Sequence, residues 1–442
     1  MSTGTTGTGD AGTTSTPRGP LPVLDGSGRA DLGTLTRRTL AAGESWVFAA
    51  LIIMIAIFTF LSPGKFLTID NFSLTAQTTA PFLVMAIGET FVIITAGIDL
   101  SVGFVLVLTG VVAGEYYLHN GGTNASVGTI WIGAILGILT GTAFGALQGL
   151  AVAKLKMPPL IATLMGLGVA EGLSYLITGG SDLRSVPNTL ASSIGQGSLG
   201  GVQWLIIISF LATLVFGLVL AYTRFGRYTY AIGSNPEAAA RVGINVDWHL
   251  IKVYALSGLT AGIAGIMNLG YFSTTTISGH PLDNLVVITA VVIGGASLFG
   301  GRGTMLGTFL GVFIPELLAA GLIIAGVNQF WQYILTGLVL GAAVYMDQIR
   351  RRLRERALSL GNRDDASLPS RRSECLEAIP LWLPGLPQPR PSPWWRRAAA
   401  ATQAQAAAPA ADPAQAQAAA LAAAPVARTS SWSSAPRVTT ST

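Results

Sequence analysis

Ten apolar stretches separated by polar interruptions fill the chain between about residues 46 and 346. They run approximately over 46–62, 79–97, 102–118, 128–152, 158–178, 203–222, 251–272, 284–299, 305–324 and 328–346. Each is long enough, or nearly so, to cross a hydrocarbon layer of about 30 Å. The eighth is short, and only Gly97 to Ser101 separates the second from the third, so both places are candidates for a broken or re-entrant segment. The pattern predicts an all-α, polytopic membrane helix bundle of about ten transmembrane segments, occupying residues 46–350.

Basic residues orient the bundle. With the N-terminus in the cytoplasm, Arg37, Arg38, Lys154, Lys156, Arg224, Arg227, Arg241, Lys252, Arg302 and Arg350 to Arg352 fall inside, and only Lys65 and Arg184 fall outside. Basic residues collect on the cytoplasmic side of short loops, so the expectation is that both termini are cytoplasmic.

One interruption differs from the rest. Thr223 to Lys252 is a polar island with a complete short helix inside it. Asn235 can cap it, Pro236 suits its first position and Gly243 can stop it. Glu237 and Arg241 stand four apart in the favourable order for an ion pair, and Ala238, Ala239 and Val242 offer a small apolar face. The alternatives are a helix shown to a partner and an ordinary solvated loop.

Glycine marks two other segments. Gly133, Gly137, Gly141, Gly145 and Gly149 recur every four residues, and Gly303, Gly307 and Gly311 repeat the device. Small residues at this spacing let helices approach closely and imply a compact bundle without naming a substrate.

Composition agrees. Half the residues are hydrophobic and 11% are charged, against about 25% in soluble domains. The net charge of +5 sits beside membrane segments and is no nucleic-acid signal. Cys375 is the only cysteine, and His119, His249 and His280 lie far apart, so no metal site is expected. Residues 1–38 read as a disordered Gly/Thr/Ser-rich leader and 358–442 as a low-complexity tail, in which Trp394-Trp395-Arg396-Arg397 can touch a membrane surface or be featureless like the rest.

Three local sequences carry more information. Gly97-Ile-Asp-Leu-Ser-Val-Gly103 occupies the tight seam, where Asp99 or Ser101 can cap the next helix. The second is Gly233-Ser-Asn-Pro-Glu-Ala-Ala-Ala-Arg241, and the third is the glycine-dense run Val292 to Thr304. Together they resemble the permease subunit of ribose- and xylose-type bacterial ABC importers, over about residues 46–350; branched-chain amino-acid permeases have similar glycine-dense runs.

The resemblance implies that two permease copies form the pore in the bacterial cytoplasmic membrane. Separate cytoplasmic ATPase subunits receive a coupling helix, and an extracytoplasmic sugar-binding protein delivers the solute. The coupling element falls on Gly233, Ser234, Asn235, Pro236, Glu237, Ala238, Ala239 and Arg241. ATP would be bound by the partner: the only Gly-Lys pair, Gly64-Lys65, is followed by Phe66 and cannot form a phosphate-cradling loop. No cofactor and no covalent chemistry are expected in this chain.

Polar groups at membrane depth are functional candidates. These are Glu89, Asp99, Glu171 and Glu316, with Gln77, Gln148, Asn268, Asn328 and Gln329. Glu89, Gln148 and Asn268 are the candidates for a translocation path; structural hydrogen bonding is the alternative for each. Asp99 suits a cap or hinge. His280 or Asp283, in the loop 271–283, can meet the binding protein or simply be exposed. The same machinery serves other small solutes, such as a nucleoside, a signalling furanose or a branched-chain amino acid. An ion-coupled transporter would show inverted repeats, of which none is evident.

Overall fold

The computed structural model describes residues 45–349, apart from 281, 329, 332, 333, 336, 340, 343, 346 and 347. The leader, the tail with Cys375, and part of the tenth apolar segment lie outside the described residues. The helices are α1 Ser45–Leu61, α2 Ile69–Ile94, α3 Val102–His119, α4 Val127–Ala153, α5 Pro159–Thr178 and α6 Trp204–Tyr222. There follow α7 Arg224–Ser234, α8 Pro236–Arg241, α9 Val246–Phe272, α10 Asp283–Ile293 and α11 Met305–Ile324. A two-stranded ribbon, Ser198–Leu199 with Val202–Gln203, precedes α6.

Seven described helices (α2 to α6, α9 and α11) are long and apolar enough to cross a membrane. Of the other expected segments, α1 and α10 are shorter apolar helices. With 11 residues, α10 spans about 16 Å, roughly half a bilayer, so the eighth segment is not a full helical crossing.

Burial sorts the spanning helices. In α2, 83% of the most apolar window is buried inside the protein, against 22% in α6, so α2 is a central helix and α6 a peripheral one. Helices α3 and α9 are also mostly buried; α9 packs against α2, and α3 against α4, α5 and α9. The α4 glycines find their partner in α9. A Cβ on Gly141 would overlap Gly258 O, one on Gly145 would overlap Tyr254 O, and one on Gly149 would sit 2.7 Å from the Ile251 Cα. The backbones meet directly, as the four-residue spacing requires. Likewise, Gly307 and Gly311 of α11 abut Gly294 and Ala290 at the end of α10.

The seam between α2 and α3 doubles back. Gly97 N–H bonds to Val92 O at 3.0 Å, Ala96 adopts a φ of 62°, and Asp99 N–H donates to Glu89 Oε1 at 3.1 Å. Helix α3 therefore starts beside Glu89, about 7 Å in from the end of α2. Asn284 Nδ2 donates to Leu100 O at 2.9 Å, so α10 begins at the same inner level, and the loop after α9 must descend to reach it.

Candidate functional site

Two groups of loops mark the two ends of the bundle. At one, Ile277 N–H donates to Asp182 Oδ1 at 2.9 Å, and Leu183 pairs with Thr275 through both backbone groups. At the other, Lys154 and Lys156 reach Asp247 at 3.2 and 2.7 Å. The first group is the one expected outside and the second the one expected inside.

The polar island contains two helices rather than one. Thr223 Oγ1 caps α7 by accepting from Gly226 N–H at 3.3 Å. Its inward face carries Gly226, Thr229, Ile232 and Gly233. Thr229 bonds to His249 at 2.9 Å, and Phe225 stacks between Phe91 and His249. The Tyr230 hydroxyl donates to Gly303 O at 2.6 Å, and burial raises that phenol's pKa, so it stays a donor at neutral pH. The Phe225, Thr229, Ile232 spacing was the available signal for this helix.

Helix α8 follows at once. Asn235 Oδ1 accepts from Ala238 N–H at 2.9 Å, Pro236 takes the first position and Gly243 adopts a φ of 86° two residues past the end. Glu237 and Arg241 pair at 3.6 Å with side chains about four-fifths exposed. Ala239 alone turns inward; Ala238 and Val242 face out, and Val242 lies just beyond the helix, so the expected apolar face is split. A helix this short, capped at one end and anchored by one alanine, presents charge outward.

The second and third sequence motifs meet at this end, against the residues just before the first. Ile94 O, at the end of α2, accepts from Gly301 N–H at 2.8 Å. A Cβ on Gly233 would overlap that same oxygen, and Gly300, at a φ of 81°, lies against Ala96 and the Gly233 carbonyl. The approach to α8 is thus wedged between the base of α2 and the glycine-dense loop.

Inside the seam, Asp99 organises a closed network. Its carboxylate accepts from Ser101 N–H at 2.9 Å, Ser101 Oγ at 2.6 Å and Ser257 Oγ of α9 at 2.8 Å. Gln148 Nε2 of α4 donates to Ser101 Oγ at 2.7 Å. Neither Asp99 nor Ser101 caps α3: no side-chain bond reaches its first amides. Asp99 instead folds the turn and ties it to α9. Gly103, on α3, packs against the start of α10.

The three path candidates separate. Glu89 and Gln148 are fully enclosed in this network, each with one oxygen unpartnered. Asn268 stands apart, on the wall of a cavity of about 150 Å³ between α2, α3, α9 and α10. His280 and Asp283 line the same cavity. His280 is only 8% exposed, so within the segment read as an exposed loop this side chain is buried, while Ser278 and Gly279 beside it are exposed. Among the described residues, no group of acidic, cysteine and histidine side chains is arranged to hold a metal.

A family described as "Branched-chain amino acid transport system / permease component" matches residues 71–344. The chain is 39% identical over 311 residues to the ribose import permease protein of Escherichia coli, covering 67% of this chain and 91% of that protein. It is 34% identical over 310 residues to the fructose import permease protein of Rhizobium meliloti, covering 69% and 84%. Against the galactose/methyl galactoside import permease protein of Escherichia coli it is 32% identical over 320 residues, covering 70% and 94%.

Proposed function

We propose, from the premise that this chain belongs to the branched-chain amino acid transport system / permease component family, that it is the membrane-spanning permease subunit of an ATP-driven monosaccharide importer. The relatives' names point to sugars, and ribose, fructose and galactose differ enough that no one of them is singled out. The observation that carries the reading is α8: a capped helix with a free charged pair, attached by Gly233 to the base of the central helix.

In this account, ATPase subunits in the cytoplasm grip α8 through Glu237 and Arg241. Their closure on ATP displaces α8, and α7 passes the displacement to Ile94 and to the 294–303 loop, which it touches directly. Those contacts end α2 and α10. Helix α2 borders the cavity through its middle, from Gln77 to Met85, and α10 through its first residue, Asp283, so a push at their far ends changes access to the cavity. An extracytoplasmic binding protein supplies the sugar, and a second permease copy completes the pore. The subunit sits in the bacterial cytoplasmic membrane with both termini inside.

The test is uptake of labelled ribose, xylose, fructose and galactose into vesicles containing the permease, its ATPase and its binding protein. ATP-dependent accumulation of at least one sugar is expected. Accumulation driven by an ion gradient without the ATPase would overturn the reading.

A further inference from the structure

His280 and Asp283 lie on the segment that descends into the bundle, with side chains only 9% and 14% exposed. His280 Nδ1 bonds to Asp283 Oδ2, while Nε2 faces Thr276 Oγ1 and, at 3.1 Å, Asn268 Nδ2. An amide nitrogen only donates, so Nε2 is the acceptor and the ring proton sits on Nδ1, against the carboxylate. Asn268 Nδ2 also donates to Thr276 Oγ1 at 3.1 Å. This chain of bonds fixes Asn268 and Asp283 and uses one polar atom of each.

Their other oxygens, Asn268 Oδ1 and Asp283 Oδ1, have no partner among the described residues and are not sealed from open space. Both residues line the 150 Å³ cavity, as does Gln77, whose Nε2 reaches only Ser73. The cavity therefore offers fixed acceptors. The rest of its lining is largely apolar, with Pro81, Phe82 and Leu106 prominent.

A cavity of about 150 Å³ holds one six-membered ring of benzene's size. Acceptors held in place beside apolar and aromatic surface suit a ring whose hydroxyls donate and whose C–H faces are apolar. We infer that this cavity is a binding station for one neutral hydroxylated ring, with Asp283 and Asn268 accepting from its hydroxyls and His280 positioning both. The inference rests on the sugar-permease reading and adds the place and the chemistry.

The experiment uses the complete transporter with its ATPase and binding protein in vesicles. Cys375 is replaced by serine, and Thr78→Cys, on the cavity wall, becomes the single thiol. A hydrophilic thiol reagent is added from the binding-protein side with ribose, xylose or galactose. The transported sugar is expected to slow labelling several-fold. Asn268→Ala and Asp283→Asn are expected to raise the half-protecting concentration at least tenfold. Gln77→Ala, which leaves the His280 pair intact, is expected to raise it about threefold. If the sugar is taken up but protects nothing, or all three variants protect like the parent, the station is wrong and the permease reading stands. Protection by sodium or ammonium in place of sugar makes it a cation site and also overturns it. If no sugar is taken up at all, the permease reading falls first and the station with it.

Discussion

A methyl group on Gly233 would run into the carbonyl oxygen of Ile94 and the amide of Gly301, both backbone atoms that cannot rotate away. Alanine is a better helix former than glycine by about 0.5–1 kcal/mol, so Gly233→Ala strengthens α7 while prising it off α2. We expect uptake to fall at least tenfold while the ATPase subunits still co-purify with the variant; unchanged uptake would remove this contact from the coupling route. Asp99 gives a second prediction. Its carboxylate takes three donors in the closed seam, so Asp99→Asn turns an amide toward a hydroxyl or N–H that has nowhere else to go. A mismatched buried group costs about 1–3 kcal/mol, and deleting one bond with Ser257→Ala about 1 kcal/mol. Thermal unfolding in detergent should rank the two in that order. Asp99 and Ser101 were visible in the sequence as a motif, but Ser257, 158 residues away, was not, because nothing in a lone serine announces its partner. The burial of His280 was hidden for the opposite reason. The polar run Ser278-Gly279-His280 reads as exposed, and Ser278 and Gly279 are, while the bonds to Asn268, Thr276 and Asp283 let the His280 ring sink into the bundle.

Among the elements, spacing was the reliable guide and length the weaker one. The glycines of α4 predicted close packing, and the structure supplies α9 as the partner, with Gly258 facing Gly141 and Gly145. Gly145→Leu therefore wedges two backbones apart rather than filling a gap. We expect loss of the inserted, monodisperse protein on size-exclusion chromatography, whereas Gly168→Leu, which has open space around it, should behave like the parent. The cap and stop of α8 were equally legible, since Asn235, Pro236 and Gly243 each act within a few residues. Helix α7 was missed because its polar composition masked a narrow inward stripe. The eighth apolar segment looked nearly long enough to cross, but glycines at 294 and 295 end α10 after 11 residues. Hydrophobicity alone does not separate a half-span from a span when the remaining depth is crossed by a descending loop.

For the whole molecule, the two loop groups lie at two ends of the bundle, and labelling assigns them to sides. With Cys375 replaced by serine, Ser181→Cys should react with a membrane-impermeant thiol reagent in intact cells, and Ser234→Cys only after permeabilisation. Both positions are exposed, so the opposite pattern would invert the topology. The central claim is that α8 receives the force of ATP hydrolysis. The most direct test is ATP-dependent sugar uptake by the complete transporter with Glu237→Arg. The Glu237–Arg241 pair is solvent-exposed and, at a few tenths of a kcal/mol, contributes little to the fold, so the variant should insert normally. The account predicts that uptake is lost while the bundle and its sugar station remain intact. Uptake at the parental rate would contradict it, and α8 would then be a solvated turn with no part in coupling.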